Sequence, residues 1–245
     1  IDDMLTRLEK LGEAMEAIEE GAADYAVLPI ENSTAGAVNE IYDLLVEFEN
    51  YIVGEVILPI THTLAGLPGT QLSELKRVYS KAEALMQTTR FLEEHSDWQQ
   101  ISVANTAIAA KKILDDQDRT QAAVCSAYAA KVYGLEVLED NINDESGNCT
   151  RFIIVTNQKV FLKGAKKISI CFEVPHESGS LYHLLSHFIY NDLNMSKIES
   201  RPIEGRSWEY RFFVDFEGNL EEPGVKNALR GLREESRSLK ILGNY

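Results

Sequence analysis

The 245-residue chain carries 24 Lys plus Arg against 39 Asp plus Glu, a formal net charge of −15, and is 44% hydrophobic and 26% charged. A chain this long exceeds what one ordinary core organises, so two domains are expected, and the proportions exclude a disordered polypeptide. No apolar stretch is long enough to span a bilayer, and so acidic a surface repels phosphate backbones, which excludes a membrane segment and nucleic acid as a partner.

In chain order, hydrophobic periodicity predicts a helix over residues 12–20 and a buried strand over 25–28. Val38, Ile41, Leu44, Leu45 and Phe48 stripe a second helix, and 51–60 is a strand. Short strands at 77–79 and 101–103 precede helices over 82–94 and 106–114. Residues 121–133 read as a helix stopped by Gly134, and 152–155 return as a strand. This is α/β alternation, with sheet strands covered by helices on both sides. A short linker at 157–166 follows. Beyond it come strand 167–174, helix 180–190, strand 195–203, strand 208–216, a helix opening at Pro223 and a strand at 239–242. That order is βαββαβ, a ferredoxin-like split βαβ. In 208–216 bulky and polar side chains alternate, which predicts one buried face.

The whole charge imbalance lies in residues 1–160, with 12 basic and 27 acidic side chains, since 161–245 hold 12 of each. An anionic ligand of the first part has to be held by local groups, because screening erases remote charge beyond ~8 Å. Cys125, Cys149 and Cys171 are odd in number, far apart and without Cys-x-x-Cys spacing. They argue against a disulfide framework or zinc ribbon and for a reducing, cytoplasmic setting. The opening Ile1-Asp2-Asp3-Met4 has neither the basic and apolar regions of a signal peptide nor an initiator methionine, so a fragment without a leader is expected.

In open α/β sheets ligands collect outside the carboxyl ends of the strands. The polar residues there are Glu31, Asn32, Ser33 and Thr34 after the first strand, Ser80 and Lys81 after the strand at 77–79, and Asn105 and Thr106 after that at 101–103. Each set is expected to open a helix, whose free N–H groups and positive dipole end suit carboxylates. The competing reading is plain N-capping, strongest at Ser80 because Ser80-Lys81-Ala82-Glu83 has capping-box spacing. A second concentration is Asn148-Cys149-Thr150-Arg151-Phe152, where a loop enters the returning strand. Arg151 suits a forked grip on a carboxylate, and the Thr150 hydroxyl suits donation to a departing oxygen; the alternative is a β-former beside a solvated arginine. His183 and His187 lie i,i+4 but fit helix surface or core better than a metal site, and His62 is either near a cleft or half-buried. Cys149 lacks a base that would make it a nucleophile, and residues 66–70 form a turn and no phosphate loop. Neither a metal nor a nucleotide cofactor is indicated.

The run Asp24-Tyr25-Ala26-Val27-Leu28-Pro29-Ile30-Glu31-Asn32-Ser33-Thr34-Ala35-Gly36-Ala37-Val38-Asn39-Glu40, with Asn148-Cys149-Thr150-Arg151-Phe152, closely resembles prephenate dehydratase. Gly179-Ser180-Leu181 with Ile198-Glu199-Ser200-Arg201-Pro202 resembles the phenylalanine-binding ACT domain that follows it in that family. The resemblance runs from about Gly12 to Tyr245. It implies a two-lobed fold akin to the type II periplasmic binding proteins over residues 1–160 and an ACT domain over 166–245. It implies decarboxylating dehydration of prephenate to phenylpyruvate in phenylalanine biosynthesis, without a cofactor. Thr150 is then the principal catalytic residue, with Arg151 and Phe152 completing its motif. Glu31, Asn32, Ser33, Thr34, Ser80, Asn105 and Thr106 are the substrate contacts, Glu31 orienting either Asn32 or the leaving group. Phenylalanine, the feedback inhibitor, is expected at Gly179, Ser180, Leu181, Asn194, Glu199, Ser200, Arg201 and Pro202, where two ACT domains of a homodimer or tetramer meet. Departures from the family are the missing Gly-Pro-x-Gly-Thr-x-Ser loop, Lys81 in place of a usual histidine and Thr88 in place of a common cysteine. The alternatives are a phenylalanine sensor without activity, and the dehydratase part of a chorismate mutase fusion whose tail is residues 2–10.

Overall fold

In the computed structural model, which describes residues 11–245, the chain forms two compact units, 11–58 with 150–245 and 59–149. The fusion tail expected at residues 2–10 lies outside the described residues. The first unit opens with α1 (Leu11–Glu19), β1 (Ala26–Asn32), β2 (Gly36–Ala37), α2 (Asn39–Glu47) and β3 (Tyr51–Pro59). Met15, Ile18, Ile41 and Leu45, spaced for one helical face each, are fully buried against Leu28 and Ile153.

The chain then builds the second unit: β4 (Thr63–Gly66), β5 (Arg77–Ser80), α3 (Ala82–Met86), α4 (Thr89–Glu93), β6 (Gln99–Ser102), α5 (Thr106–Asp116), β7 (Gln121–Cys125), α6 (Ala127–Val132) and β8 (Glu136–Glu139). Its sheet order is β6-β5-β7-β4-β8. Three expectations change here. Residues 121–133 divide into β7 and α6, because the alanine-rich run is buried on both faces: Ala122 and Val124 join the core under α3 and α4, Ala123 and Cys125 that under α5. The helix expected over 82–94 breaks at Thr88, whose hydroxyl donates back to Ala84 O at 2.9 Å, while Asp144 caps α4 by accepting from the Thr89 and Arg90 N–H groups. β4 (Thr63–Gly66) and β8 (Glu136–Glu139) have no counterpart among the expected elements.

The return to the first unit is β9 (Cys149–Thr156), followed by β10 (Lys167–Glu173), α7 (Ser180–Ile189), β11 (Met195–Pro202), β12 (Tyr210–Glu217), α8 (Pro223–Glu235) and β13 (Ser238–Asn244). The ferredoxin-like βαββαβ order is present, and its strands continue into those of the first elements as one eight-stranded sheet, β11-β12-β10-β13-β3-β9-β1-β2. Compactness therefore does not divide the chain at the linker. Along β10 and β12, Ile168, Ile170, Phe172, Val214 and Phe216 pack under α7 and α8, whereas Cys171 and Phe213 pack against α2, with Phe213 edge-on to Tyr42 at 4.9 Å. Both faces of β12 are thus covered, not one as its alternation suggested.

The two parts of the large sheet meet where Gly243 of β13 pairs with Ile52 of β3. A Cβ at Gly243 would stand 2.2 Å from Ile52 O, so only glycine lets the backbones approach. Gly243→Ala is expected to cost on the order of 1–3 kcal/mol, read as a lower melting temperature by calorimetry. Gly12→Ala, whose Cβ would meet nothing closer than Leu44 at 3.8 Å, should show no loss.

Candidate active site and effector pocket

β1 and β9 run antiparallel with Asn32 opposite Thr150, and Asn32 Nδ2 donates to Thr150 Oγ1 at 3.0 Å. Asn32 Oδ1 accepts from the N–H groups of Thr34 at 3.0 Å and Ala35 at 2.9 Å, which fixes which end of the amide faces Thr150. This is a turn, not the helix start expected after β1: α2 begins only at Asn39, and Ser33 and Thr34 are exposed. A threonine hydroxyl has one proton, and Thr150 accepts from Asn32, so its own O–H points elsewhere.

Arg151 is neither solvated nor free to grip a ligand. Its side chain is 11% exposed, and Nη1 donates to Asp215 Oδ2 at 2.8 Å and to Glu55 Oε2 at 3.3 Å, while Nη2 lies 3.1 Å from Glu31 Oε2. Burial alone would pull the guanidinium pKa down, but Asp215 and Glu31 outweigh it and raise it, so the group stays charged. Glu31 accepts from Lys197 Nζ at 2.7 Å, so its carboxylate serves Lys197 and Arg151, not Asn32. Lys167 completes the cluster with 2.8 Å to Glu55. Three cations thereby balance three carboxylates. Ser169 donates to Asp215 at 2.6 Å, so Tyr245 is the donor in its 2.9 Å contact with Ser169. Burial and the neighbouring Asp215 keep the Tyr245 phenol protonated. Phe152 stands opposite Pro29, half-buried.

In the second unit, Ser80 at the end of β5 does not cap a helix. Its buried hydroxyl donates to Val124 O at 2.6 Å, tying β5 to β7, and Lys81 occupies the N-cap position of α3 without a side-chain bond. Asn105, not Thr106, caps α5, accepting from Ile108 N at 2.7 Å. Unforeseen is a junction at Gln87, whose Oε1 receives Asn148 Nδ2 at 3.1 Å and sits 2.9 Å from His62 Nε2. Its members are 25 and 61 positions apart in the chain, so no sequence periodicity reveals it. His62 is buried, and the junction fastens the chain two residues before Thr150. Cys125 and Cys171 are buried, their thiols pushed up to about 11 and about 12 by desolvation, which leaves neither a nucleophile at neutral pH.

In the C-terminal module a pocket of about 250 Å³ takes in Gly179, Ser180 and Leu181 with Val174, Trp208 and Tyr210. Gly179 sits at φ 82°, a left-handed conformation natural to glycine. The other expected effector residues are not gathered here within one chain. Asn194 donates to Glu217 at 3.0 Å, at the opposite end of β12 from Tyr210. Arg201 forks onto Asp43 of α2, and Glu199 lies on the same partly buried side of β11, while Ser200 and Pro202 are exposed. His187 Nε2 lies 3.1 Å from Glu235, in the packing of α7 on α8. Trp208, 77% exposed and at positive φ, was not foreseen, since an exposed aromatic in a turn carries no periodic signal.

In α/β folds, polar side chains at the strand ends are where small polar ligands are bound. The family model described as prephenate dehydratase matches residues 4–160, and the chain belongs to that family. A bifunctional chorismate mutase/prephenate dehydratase of Aquifex aeolicus (strain VF5) is 40% identical over 230 residues, which are 93% of this chain and 62% of that protein. The chain thus spans under two thirds of that relative. The structure of a prephenate dehydratase from Arthrobacter aurescens in complex with L-Phe is 32% identical with a TM-score of 0.88, covering 96% of this chain and 79% of that one. A structure described as GqqA, a novel type of quorum-quenching acylase, is also 32% identical with a TM-score of 0.88, covering 96% of this chain and 86% of that one. The shared α/β fold is that of the prephenate dehydratase structures.

Arg151→Met would leave Glu31, Glu55 and Asp215 around an uncharged side chain. The expected loss is about 3–5 kcal/mol, seen as a lower denaturant midpoint with an unchanged slope.

Proposed function

We propose that residues 1–160 catalyse the decarboxylating dehydration of prephenate to phenylpyruvate and that residues 166–245 act as an ACT domain through which phenylalanine restrains it. The observation that carries this reading is the Asn32–Thr150 hydrogen bond. Prephenate has two carboxylates and a ring hydroxyl. In the proposed step the bond from ring to carboxylate breaks, its electron pair enters the ring, and the hydroxyl on the opposite carbon leaves as water after gaining a proton. Aromatisation drives the step, so the protein has to hold the anions and assist one oxygen. Thr150 directs its proton to that oxygen, and the Asn32 N–H stabilises the charge that develops on Oγ1 as it does so. Arg151 serves the fold of this site and does not bind substrate. Within the first unit Ser33 and Thr34, in the exposed turn beside that pair, are suited to a carboxylate, and within the second unit the start of α5 at Asn105 and Thr106 offers N–H groups suited to one. Ser80 spends its proton on Val124, so it holds the strand end.

Phenylalanine is assigned to the pocket at Gly179–Leu181, with Ser200 and Pro202 supplied by β11 of a second copy. β11 is the edge of the large sheet and supports such pairing in a homo-oligomer. A cytoplasmic setting suits the three free thiols, and among the described residues no helix is long and apolar enough to cross a membrane.

Phenylpyruvate formation from prephenate, followed by absorbance, tests the reading. Thr150→Ala is expected to lower kcat about 100-fold or more, with Thr150→Ser recovering part of it. Phenylalanine binding without any turnover in the unaltered chain would instead favour the sensor. Titration with phenylalanine should change tryptophan fluorescence, and Trp208→Phe should abolish the change.

A further inference from the structure

We infer that Lys197 and Asp215 of the C-terminal module are positioning residues for the Asn32–Thr150 pair of the catalytic strands. This rests on the proposed reaction for its kinetic consequence, but not for its geometry. Lys197 and Asp215 stand opposite each other in the β11–β12 register. Glu31 and Arg151 stand opposite each other in the β1–β9 register, as the pair next to Asn32 and Thr150. Each cross-strand pair holds one acid and one base, and they meet with opposite charges facing: Lys197 to Glu31 at 2.7 Å and Arg151 to Asp215 at 2.8 Å, with Glu31 and Arg151 3.1 Å apart. Lys197, 13% exposed, also lies 5.8 Å from the centre of the Tyr42 ring, which bounds its movement.

The consequence is positional. Thr150 and Arg151 are adjacent, as are Asn32 and Glu31, so each partner of the hydrogen bond is one peptide from an ionic anchor whose other end lies in the regulatory module. A shift of β1 against β9 that lengthened the Asn32–Thr150 bond would have to pull Glu31 from Lys197 or Arg151 from Asp215. Lys197 further belongs to β11, where of the expected effector contacts Ser200 and Pro202 are exposed and Glu199 and Arg201 lie on the partly buried side with Lys197, Lys197 reaching Glu31 of β1 and Arg201 reaching Asp43 of α2. The same strand therefore carries the exposed effector contacts on one side and the grip on Glu31 on the other.

The test uses the full chain, with prephenate turnover and hydrogen–deuterium exchange measured on Lys197→Met, Lys197→Arg and Asp215→Asn. Lys197→Met is expected to lower kcat about tenfold with KM unchanged, and to speed exchange at residues 29–35 and 149–153 while α8 exchanges as before. Lys197→Arg should restore both. In a Glu31→Gln background, Lys197→Met should add nothing further. Unchanged exchange at those two segments, or an effect confined to KM, overturns the inference. If Asp215→Asn does not fold, Lys197→Met decides alone. If the unaltered chain makes no phenylpyruvate, the proposed reaction fails, while the exchange measurement still decides whether Lys197 positions the two strands.

Discussion

The contact between Arg151 and Asp215 is the constraint from which most of the first unit follows. A guanidinium with 11% exposure is costly to desolvate unless its charge and donors are answered within the protein. Here the charge is answered by Asp215, Glu31 and Glu55, with Lys167 and Lys197 neutralising what Arg151 alone leaves over, while of the guanidinium donors only Nη1 makes hydrogen bonds among the described residues. The arrangement specifies register as well as charge. Sliding β12 by one residue would turn Asp215 into the apolar core of Phe172, Phe188 and Phe216 under the helices. The register that puts Asn32 opposite Thr150 is the register that satisfies these charges.

The same period of two explains why the ferredoxin-like module joins the first strands at all. Its sheet has a helix-covered face built from Ile168, Ile170 and Phe172, and a second face built from Ser169, Cys171 and Glu173. The second face is mixed, too apolar to leave in water and too polar for a dry core. α2 supplies Tyr42 for its apolar part, while Arg151, Arg206 and Arg211 take the acids, the latter two binding Glu173. Gly243 then lets β13 close onto β3, making one sheet of two. A module with a bare sheet face is in this way made continuous with strands that carry the candidate catalytic pair.

What the sequence disclosed and what it hid divide along contact distance. The βαββαβ segment was legible because its signals are local: β-branched and aromatic content in β10, alternation in β12, Pro223 at the start of α8, glycine at 179 before α7. The Thr150 motif and the residues after β1 were legible as chemistry, and through family resemblance. Arg151 was read as solvated or ligand-binding because its partners lie 64, 96 and 120 positions away, where no spacing rule reaches. β7 was read as helix because alanine favours helices wherever packing does not decide, and here packing on both faces did. The Ser80 capping box did not form because the helix starts one residue later, with Lys81 at the N-cap of α3, and the buried Ser80 hydroxyl donates to a carbonyl of the neighbouring strand, 44 positions on.

A threonine suits the proposed role because of what surrounds it. With 27 acidic side chains in the first 160 residues, another carboxylic acid at the leaving oxygen would add to the repulsion felt by a dianionic substrate. A hydroxyl brings a donor without a charge, and its weakness as an acid is offset in two ways. Asn32 supplies an N–H to the oxygen that loses proton density, an interaction that strengthens only as the leaving group departs. Aromatisation supplies the larger part of the driving force, so the protein needs geometry more than acidity. That places the demand on holding Thr150 and Asn32 in register, which is the role inferred for the balanced charges around Arg151.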